Sequence, residues 1–188
     1  MYKLSIAFLL IVVLLIGCGG PKKETPIKPA SSATSEFVAM VKMVEPMTVL
    51  SIEKKGPYNM VGKAIGELMS WIMVKQIKPI GAPFGIYYDD PLKVIPESTR
   101  YEVCVPVLQD TKGEKTFKVK QLPAMEVAYT MHIGPYEKVG ETYGKLSGWI
   151  EKNSYTIVGP AREIYVSNPS VPPDSLRTEI QFPVRKKS

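Results

Sequence analysis

Residues 56–72 read GPYNMVGKAIGELMSWI and residues 134–150 read GPYEKVGETYGKLSGWI, so one segment occurs twice in the chain. The two copies of Gly-Pro-Tyr lie 78 residues apart, and Trp71 recurs as Trp149 at the same offset. Self-similarity at a fixed offset indicates a duplicated structural unit. The fold therefore has to be explained as two copies of one unit.

The duplication extends to landmarks downstream of this segment. They follow in the same order, first at an offset of 78 residues and finally at 77: Ile80-Gly81 and Val158-Gly159, Ile86-Tyr87 and Ile164-Tyr165, Pro91 and Pro169, and 102–107 and 179–184. A one-residue deletion in the loop before the last landmark explains the change of offset. We place the repeats at about residues 46–108 and 124–185.

Each repeat has the pattern of one helix and three strands. Apolar residues spaced by three and four positions predict an amphipathic helix after each Gly-Pro-Tyr. The predicted strands are residues 48–52, 84–88 and 101–105 in the first copy, and 126–130, 162–166 and 178–182 in the second. Two pseudo-twofold-related strand-helix-strand-strand units predict an α+β fold, an antiparallel sheet with both helices on one face.

Alternation along the strands sorts side chains between the two faces of this sheet. We expect Glu163 and Tyr165 on the uncovered face, with their aliphatic neighbours beneath the helices. In the first repeat Tyr87 shares that face, while Gly85 leaves an empty space opposite the carboxylate. Glu102 is a further candidate for ligand contact there, although either glutamate is also explained as a solvated strand residue. A carboxylate among tyrosines, in a cleft between repeats, suits a flat or cationic organic molecule.

The first 17 residues have the pattern of an export signal. Lys3 is followed by an apolar run that ends at Ile16 and is shorter than the roughly 20 residues of a transmembrane helix. The run closes on Leu15-Ile16-Gly17-Cys18, which resembles a bacterial lipobox. We expect a lipoprotein signal peptide at residues 1–17 and lipidation of Cys18. An ordinary signal peptide or an N-terminal anchor is the alternative.

The segment after Cys18 is rich in Gly, Pro, Lys, Ser and Thr and offers little to bury. Such a composition predicts a disordered tether, which we place at residues 18–44. Residues 45–188 then form a single domain large enough for a hydrophobic core. We expect the protein at the cell envelope, anchored to a membrane by its lipid and facing the periplasm or the cell exterior.

Composition argues against several classes of function. The chain has two cysteines, one histidine and a formal net charge of +6. Its basic residues are scattered, so we expect no nucleic-acid partner. His132 stands alone, and the sequence has neither metal-ligand spacing nor a phosphate-binding loop, so we expect no metal, no cofactor and no catalytic triad. Cys104 is expected to fill space within a strand.

Several motifs match a known family in order and spacing. In the first copy they are Gly56-Pro57-Tyr58, Trp71, 85–91 and 101–107, and in the second 132–136, Trp149, 163–165, 168–169 and 178–184. Together they resemble the GyrI-like fold, which also forms the effector-binding domain of AraC-type and MerR-type regulators. The resemblance spans nearly all of the predicted domain.

The resemblance implies a ligand pocket at the centre of the pseudo-symmetric sheet. In drug-binding members of the family, a glutamate in the Glu-x-Tyr strand of the second repeat contacts cationic aromatic ligands, and Glu163 stands at that position here. Tyr165 and Tyr87 follow as pocket aromatics. Trp149 and Trp71, at the ends of the predicted helices, are further candidates for ligand contact.

The sequence favours a membrane-tethered small-molecule binding protein whose pocket, between the repeats, takes aromatic or cationic organic ligands. Two alternatives stay open: a hydrolase of reactive small molecules with Glu163 as general base, and a protein-interaction module at the envelope. The stretch before Met47 is predicted to be signal and tether. The DNA-binding segment of the related regulators is therefore not expected.

Overall fold

The computed structural model describes residues 37–187, which contain nine β-strands and two α-helices. The strands are β1 (Met40–Val44), β2 (Met47–Lys55), β3 (Phe84–Tyr87), β4 (Arg100–Pro106), β5 (Lys118–Leu122), β6 (Met125–Ile133), β7 (Tyr155–Ile157), β8 (Ala161–Tyr165) and β9 (Arg177–Lys186). The helices are α1 (Val61–Val74) and α2 (Val139–Lys152). The predicted signal peptide, Cys18 and the first part of the predicted tether lie outside the described residues. Within residues 37–187, neither helix is long and apolar enough to cross a membrane.

The strands form an antiparallel sheet whose centre is the junction between the two repeats. The strand order is β1-β6-β9-β8-β3-β4-β2-β5, with β7 pairing to β9. At the centre, β3 of the first repeat pairs with β8 of the second, and Gly85 lies opposite Glu163. Outward from this pair, β3-β4-β2 matches β8-β9-β6. The predicted α+β fold, built from two pseudo-twofold-related units, is confirmed.

The two edge strands extend the duplication beyond the predicted repeats. β1 begins at Met40 and β5 at Lys118, again 78 residues apart. β1 precedes the first repeat but pairs with β6 of the second, and β5 precedes the second repeat but pairs with β2 of the first. Each copy thus supplies the edge strand of the other, which ties the two halves of the sheet together.

The prediction that the tether reaches residue 44 is wrong at its C-terminal end. Residues 40–44 pair with residues 125–129 of β6, and the Thr130 hydroxyl donates to the Val38 carbonyl over 2.6 Å. Val41 packs against the core beneath α2. The Pro- and Ser-rich composition that indicated a tether ends before this apolar segment begins. The ordered domain therefore starts before residue 45.

Both helices lie on one face of the sheet, as predicted. Leu68 of α1 and Leu146 of α2 are fully buried and occupy matching positions of the two repeats. Val103 of β4 packs in the core beneath α1, and Ile180 of β9 packs in the core beneath α2. Across the four central strands, Val103, Gly85, Glu163 and Ile180 lie opposite one another. Residues directly opposite in neighbouring strands share a face, so both cores lie on the same side.

This register corrects the predicted face of the candidate site. Glu163 shares the row of Val103 and Ile180, so it points to the helix-bearing face rather than to the uncovered one. Tyr87 and Tyr165, two residues on from Gly85 and Glu163, point the same way and pack against the core beneath α1. The prediction that these residues lie on an uncovered face is wrong.

The aliphatic residues of the same strands point away from the helices. Ile164, Ile86 and Phe84 pack together in a separate cluster on the opposite face of the sheet. Glu102 pairs with Ile86 and shares that face, as predicted. Both faces of the central strands bury apolar side chains, so hydrophobicity alone does not reveal which face meets the helices.

The Gly-Pro-Tyr motifs lead from the first strand of each repeat into its helix. Gly56 and Gly134 have φ of 134° and 133°, in a region that residues with a Cβ rarely occupy. Each proline then precedes a 3-10 turn that begins with the motif tyrosine, Tyr58 or Tyr136, and runs into the helix. This geometry fixes the two tyrosines at the helix entrances.

Candidate ligand-binding site

Glu163 lies where the two repeats meet, and tyrosine hydroxyls surround its carboxylate. The residue is 8% exposed. Tyr143 of α2 donates to Oε1 over 2.9 Å, and Tyr87 of β3 donates to Oε2 over 3.0 Å. The Tyr165 hydroxyl lies 3.4 Å from Oε2 and 2.5 Å from the Tyr87 hydroxyl. Both carboxylate oxygens therefore already accept hydrogen bonds.

Two further tyrosines flank this cluster. The Tyr58 ring meets the Tyr87 ring edge to face with centroids 4.9 Å apart, and Tyr136 meets Tyr165 in the same way at 5.8 Å. Edge-to-face contacts of this length are favourable because the ring edge is positive and the ring face negative. We call the five rings the tyrosine cage: Tyr58, Tyr87, Tyr136, Tyr143 and Tyr165.

The cage is asymmetric although the scaffold is duplicated. Gly85 stands where the second repeat has Glu163, and Ile65 stands where it has Tyr143. The space beside Gly85, which we expected to be empty, is filled by the ring of Tyr87, since a Cβ at residue 85 would lie 2.8 Å from its Cε2. The duplicated scaffold thus holds one carboxylate and one helix-borne hydroxyl that the first repeat lacks.

The Glu163 carboxylate has no cationic partner. Among residues 37–187, none of the ion pairs involves it. Burial raises the pKa of this carboxyl, and the hydrogen bonds from Tyr143, Tyr87 and Tyr165 oppose the shift. Burial beside the carboxylate also raises the pKa of these three hydroxyls, so they remain donors. A buried charge without a counter-ion is unfavourable, so a cation entering the cage would gain the full benefit of pairing.

The two tryptophans predicted as ligand contacts have structural partners instead. Trp71 stacks on Phe117 with ring centroids 4.7 Å apart, and Trp149 stacks on Tyr155 at 6.5 Å. Both lie in the last turns of their helices, whereas the motif tyrosines of the cage lie at the helix entrances. The structure does not bring either tryptophan into the cage.

Glu102 is also separated from the cage, because it lies on the opposite face of the sheet. Its side chain is buried, and Oε2 accepts from the Tyr88 hydroxyl over 2.7 Å and from the Lys120 ammonium over 2.5 Å. Burial alone would raise the pKa of this carboxyl, but the bonds from Lys120 and Tyr88 outweigh burial and lower it. Glu102 belongs to a buried ion pair and not to the site of Glu163.

Three cage residues escaped the sequence analysis. Tyr143 was counted as an apolar residue of its helix, and its hydroxyl was given no role. Tyr58 and Tyr136 were treated as turn landmarks. Their repetition was the available signal, because a turn needs the Gly and the Pro but not an aromatic residue after them. With Glu163 assigned to the wrong face, nothing directed attention to side chains arriving from the helices.

Fold and cage together define a duplicated α+β module that encloses a charged site for a small organic molecule. The model of one family, the GyrI-like small molecule binding domain, matches residues 39–185. The chain belongs to this family.

Known proteins resemble the chain in sequence and in structure. A DNA gyrase inhibitor of Serratia proteamaculans (strain 568) is 33% identical over 104 residues, which cover 50% of this chain and 66% of that protein, just under two thirds. The crystal structure of the EcmrR C-terminal domain is 25% identical, with a TM-score of 0.73, covering 80% of this chain and 99% of that one. SAV2435, solved bound to tetraphenylphosphonium, is 13% identical with a TM-score of 0.51, covering 79% of this chain and 94% of that one.

Proposed function

We propose that the protein binds organic cations with an aromatic or amphiphilic body at Glu163. The observation that carries this proposal is a buried carboxylate without a cationic partner among residues 37–187, enclosed by five tyrosines. The carboxylate selects for positive charge, and the ring faces attract cations while offering apolar contact area. A neutral ligand would leave the carboxylate unpaired, and an anion would be repelled.

Binding requires the cage to open. Glu163 is 8% exposed, and tyrosine hydroxyls occupy both of its oxygens. Tyr136 is 40% exposed and touches the cage through the edge-to-face contact with Tyr165. We expect these two rings to separate first, so that the ligand replaces hydroxyl hydrogen bonds with direct charge pairing and ring contact.

Tetraphenylphosphonium is a suitable probe, since SAV2435 has the same fold and was solved with it. In isothermal titration calorimetry we expect the wild type to bind this cation and Glu163→Gln to bind it about tenfold more weakly, the equivalent of about 1.4 kcal/mol. Tetraphenylborate has a similar shape and the opposite charge, so the wild type should discriminate strongly against it. Glu163→Gln should lose much of this discrimination.

Glu151→Gln is the matched control, because Glu151 is an exposed residue of α2 and the substitution removes the same charge. It should leave the affinity for tetraphenylphosphonium unchanged. Equal affinity in the wild type and Glu163→Gln, or equal weakening in both variants, would remove Glu163 from the account.

Hydrolysis is less well supported than binding. A general base needs a free carboxylate oxygen that can reach a water molecule. Both oxygens of Glu163 accept from tyrosines at 3.4 Å or less. The hydrolase remains a hypothesis whose sign would be product formation from an electrophilic ligand. The interaction module likewise remains a hypothesis, favoured if chemically broad ligand collections give no binding.

We propose further that a lipid on Cys18 holds this binding module at the cell envelope. The support is the sequence Leu15-Ile16-Gly17-Cys18 at the end of an apolar run, followed by a Pro- and Ser-rich stretch before the first strand. A tethered module would bind its ligands beside a membrane, where amphiphilic cations concentrate.

A further inference from the structure

A second cleft lies on the face of the sheet opposite the tyrosine cage. It has a volume of about 380 Å³, within the range of about 300–1,000 Å³ common for small-molecule pockets. Phe84, Ile164 and Met47 give it an apolar lining. Arg162 also lines it, next in sequence to Glu163 but pointing to the other face.

Arg162 is buried in this cleft without a counter-ion. The residue is 5% exposed, and among residues 37–187 its guanidinium takes part in no ion pair. Its Nε is buried without any hydrogen-bond partner. The nearest aromatic contact is the ring of Phe84, whose centroid lies 5.9 Å from the guanidinium carbon. Burial lowers the pKa of Arg162, as expected for a cation that has lost water without gaining an anion.

The other charges of the cleft neutralise each other. Lys42 of β1 pairs with Glu179 of β9 over 2.6 Å, and the Gln181 amide donates to the same carboxylate oxygen over 2.6 Å. Glu179 is thus already engaged and does not reach Arg162. The cleft is left with a single uncompensated positive charge beside an apolar floor.

We propose that this cleft binds a monoanionic amphiphile, an organic carboxylate whose head pairs with Arg162 and whose apolar body lies on Phe84 and Ile164. A guanidinium matches a carboxylate because its planar fork donates two parallel hydrogen bonds. Met47 at the wall can adapt to the shape of the body, since methionine is flexible and polarisable. The site is distinct from that of Glu163, because the sheet separates the two.

Isothermal titration of the purified full chain with octanoate tests this site. We expect the wild type to bind octanoate at least tenfold more tightly than octanol, which has the same body without the charge. Arg162→Gln should weaken octanoate by at least tenfold. Arg162→Met serves as a second variant that fills the position without a polar group, and thermal melts of both variants establish that the fold is retained.

Two controls locate the effect. Arg185→Gln removes the same charge from an exposed position of β9 and should leave octanoate binding unchanged. Glu163→Gln should also leave it unchanged, so failure of the cation site and failure of this site are distinguishable. The proposal is overturned if octanoate does not bind the wild type at millimolar concentration, or if octanol binds equally well. It is also overturned if both Arg162 variants, folded, bind octanoate like the wild type, or if inorganic phosphate competes as strongly as octanoate, since the cleft would then recognise any small anion.

Discussion

At the scale of residues, the site depends on one dipeptide of β8. Arg162 and Glu163 are consecutive, oppositely charged and each less than one-tenth exposed, yet they point to opposite faces of the sheet. Alternation along a strand forbids them from neutralising each other. Burying an unpaired charge destabilises a fold, so two such residues side by side indicate positions kept for ligands rather than for stability.

Glu163 and Glu102 should affect stability with opposite dependence on pH. The folded-state pKa of Glu163 is raised, so its contribution to stability is present below the unfolded pKa and is lost as pH rises through the folded pKa. The folded-state pKa of Glu102 is lowered, so its contribution is present above the unfolded pKa and is lost as pH falls through the folded pKa. Relative to the wild type, Glu163→Gln should therefore gain stability between about pH 4 and about pH 7, and Glu102→Gln should lose it.

Urea unfolding of the wild type and both variants at the two pH values measures these trends. At about pH 7 we expect Glu102→Gln to cost about 2 kcal/mol, because it breaks a charged hydrogen bond with Lys120. The comparison is matched, since each variant replaces a buried glutamate of a central strand by glutamine. Parallel changes in the two variants would contradict the assigned pKa directions.

At the scale of elements, the sequence revealed the repeated units better than their orientation. The repeated Gly-Pro-Tyr and Trp landmarks located both helices and six strands, because duplication makes each weak pattern appear twice. The edge strands β1, β5 and β7 were missed, since they are short and half-buried and fall outside the landmarks. The face of Glu163 was wrong because Ile86 and Ile164 pack on the far side of the sheet. Glu163, Tyr87 and Tyr165 were still found together, because strand period alone places them on one face.

The role of β1 as part of the domain gives a prediction at this scale. Val41 packs against the core beneath α2, so Val41→Asp places a carboxylate in apolar surroundings. We expect a loss of about 2 kcal/mol in the free energy of unfolding, measured by urea denaturation.

The control is the same substitution three residues earlier. Val38 is 61% exposed, so Val38→Asp should change the free energy of unfolding by no more than about 0.5 kcal/mol. If Val41→Asp is as mild as Val38→Asp, then β1 is not a stabilising part of the sheet and the tether does extend to residue 44.

At the scale of the whole molecule, the sheet divides two charged sites of opposite sign. The helix-bearing face holds the carboxylate of Glu163, and the other face holds the guanidinium of Arg162. A module held beside a membrane by a lipid would meet both amphiphilic cations and amphiphilic anions there. The proposed anchor and the two proposed sites therefore concern the same class of ligand, although each is tested separately.

The anchor is tested by replacing its cysteine in a bacterial host. In Cys18→Ser the lipobox lacks the thiol that carries the lipid, so we expect loss of labelling by a palmitate analogue and release of the protein from the membrane fraction. The chain contains one other cysteine, Cys104, which is buried in β4 and cannot reach a lipid-transferring enzyme in the folded protein. Burial raises the pKa of its thiol, which keeps it protonated and unreactive.

Cys104→Ala is therefore the matched control, and it should remain labelled and membrane-bound like the wild type. The two variants together separate lipidation from other causes of membrane retention. If Cys18→Ser stays in the membrane fraction without label, an uncleaved apolar segment at residues 4–16 holds the protein, and the ordinary N-terminal anchor replaces the lipobox. If Cys18→Ser is labelled as strongly as the wild type, the lipid is not on Cys18. Either result would leave the cage at Glu163 intact as a binding site, because residues 37–187 contain all five of its tyrosines.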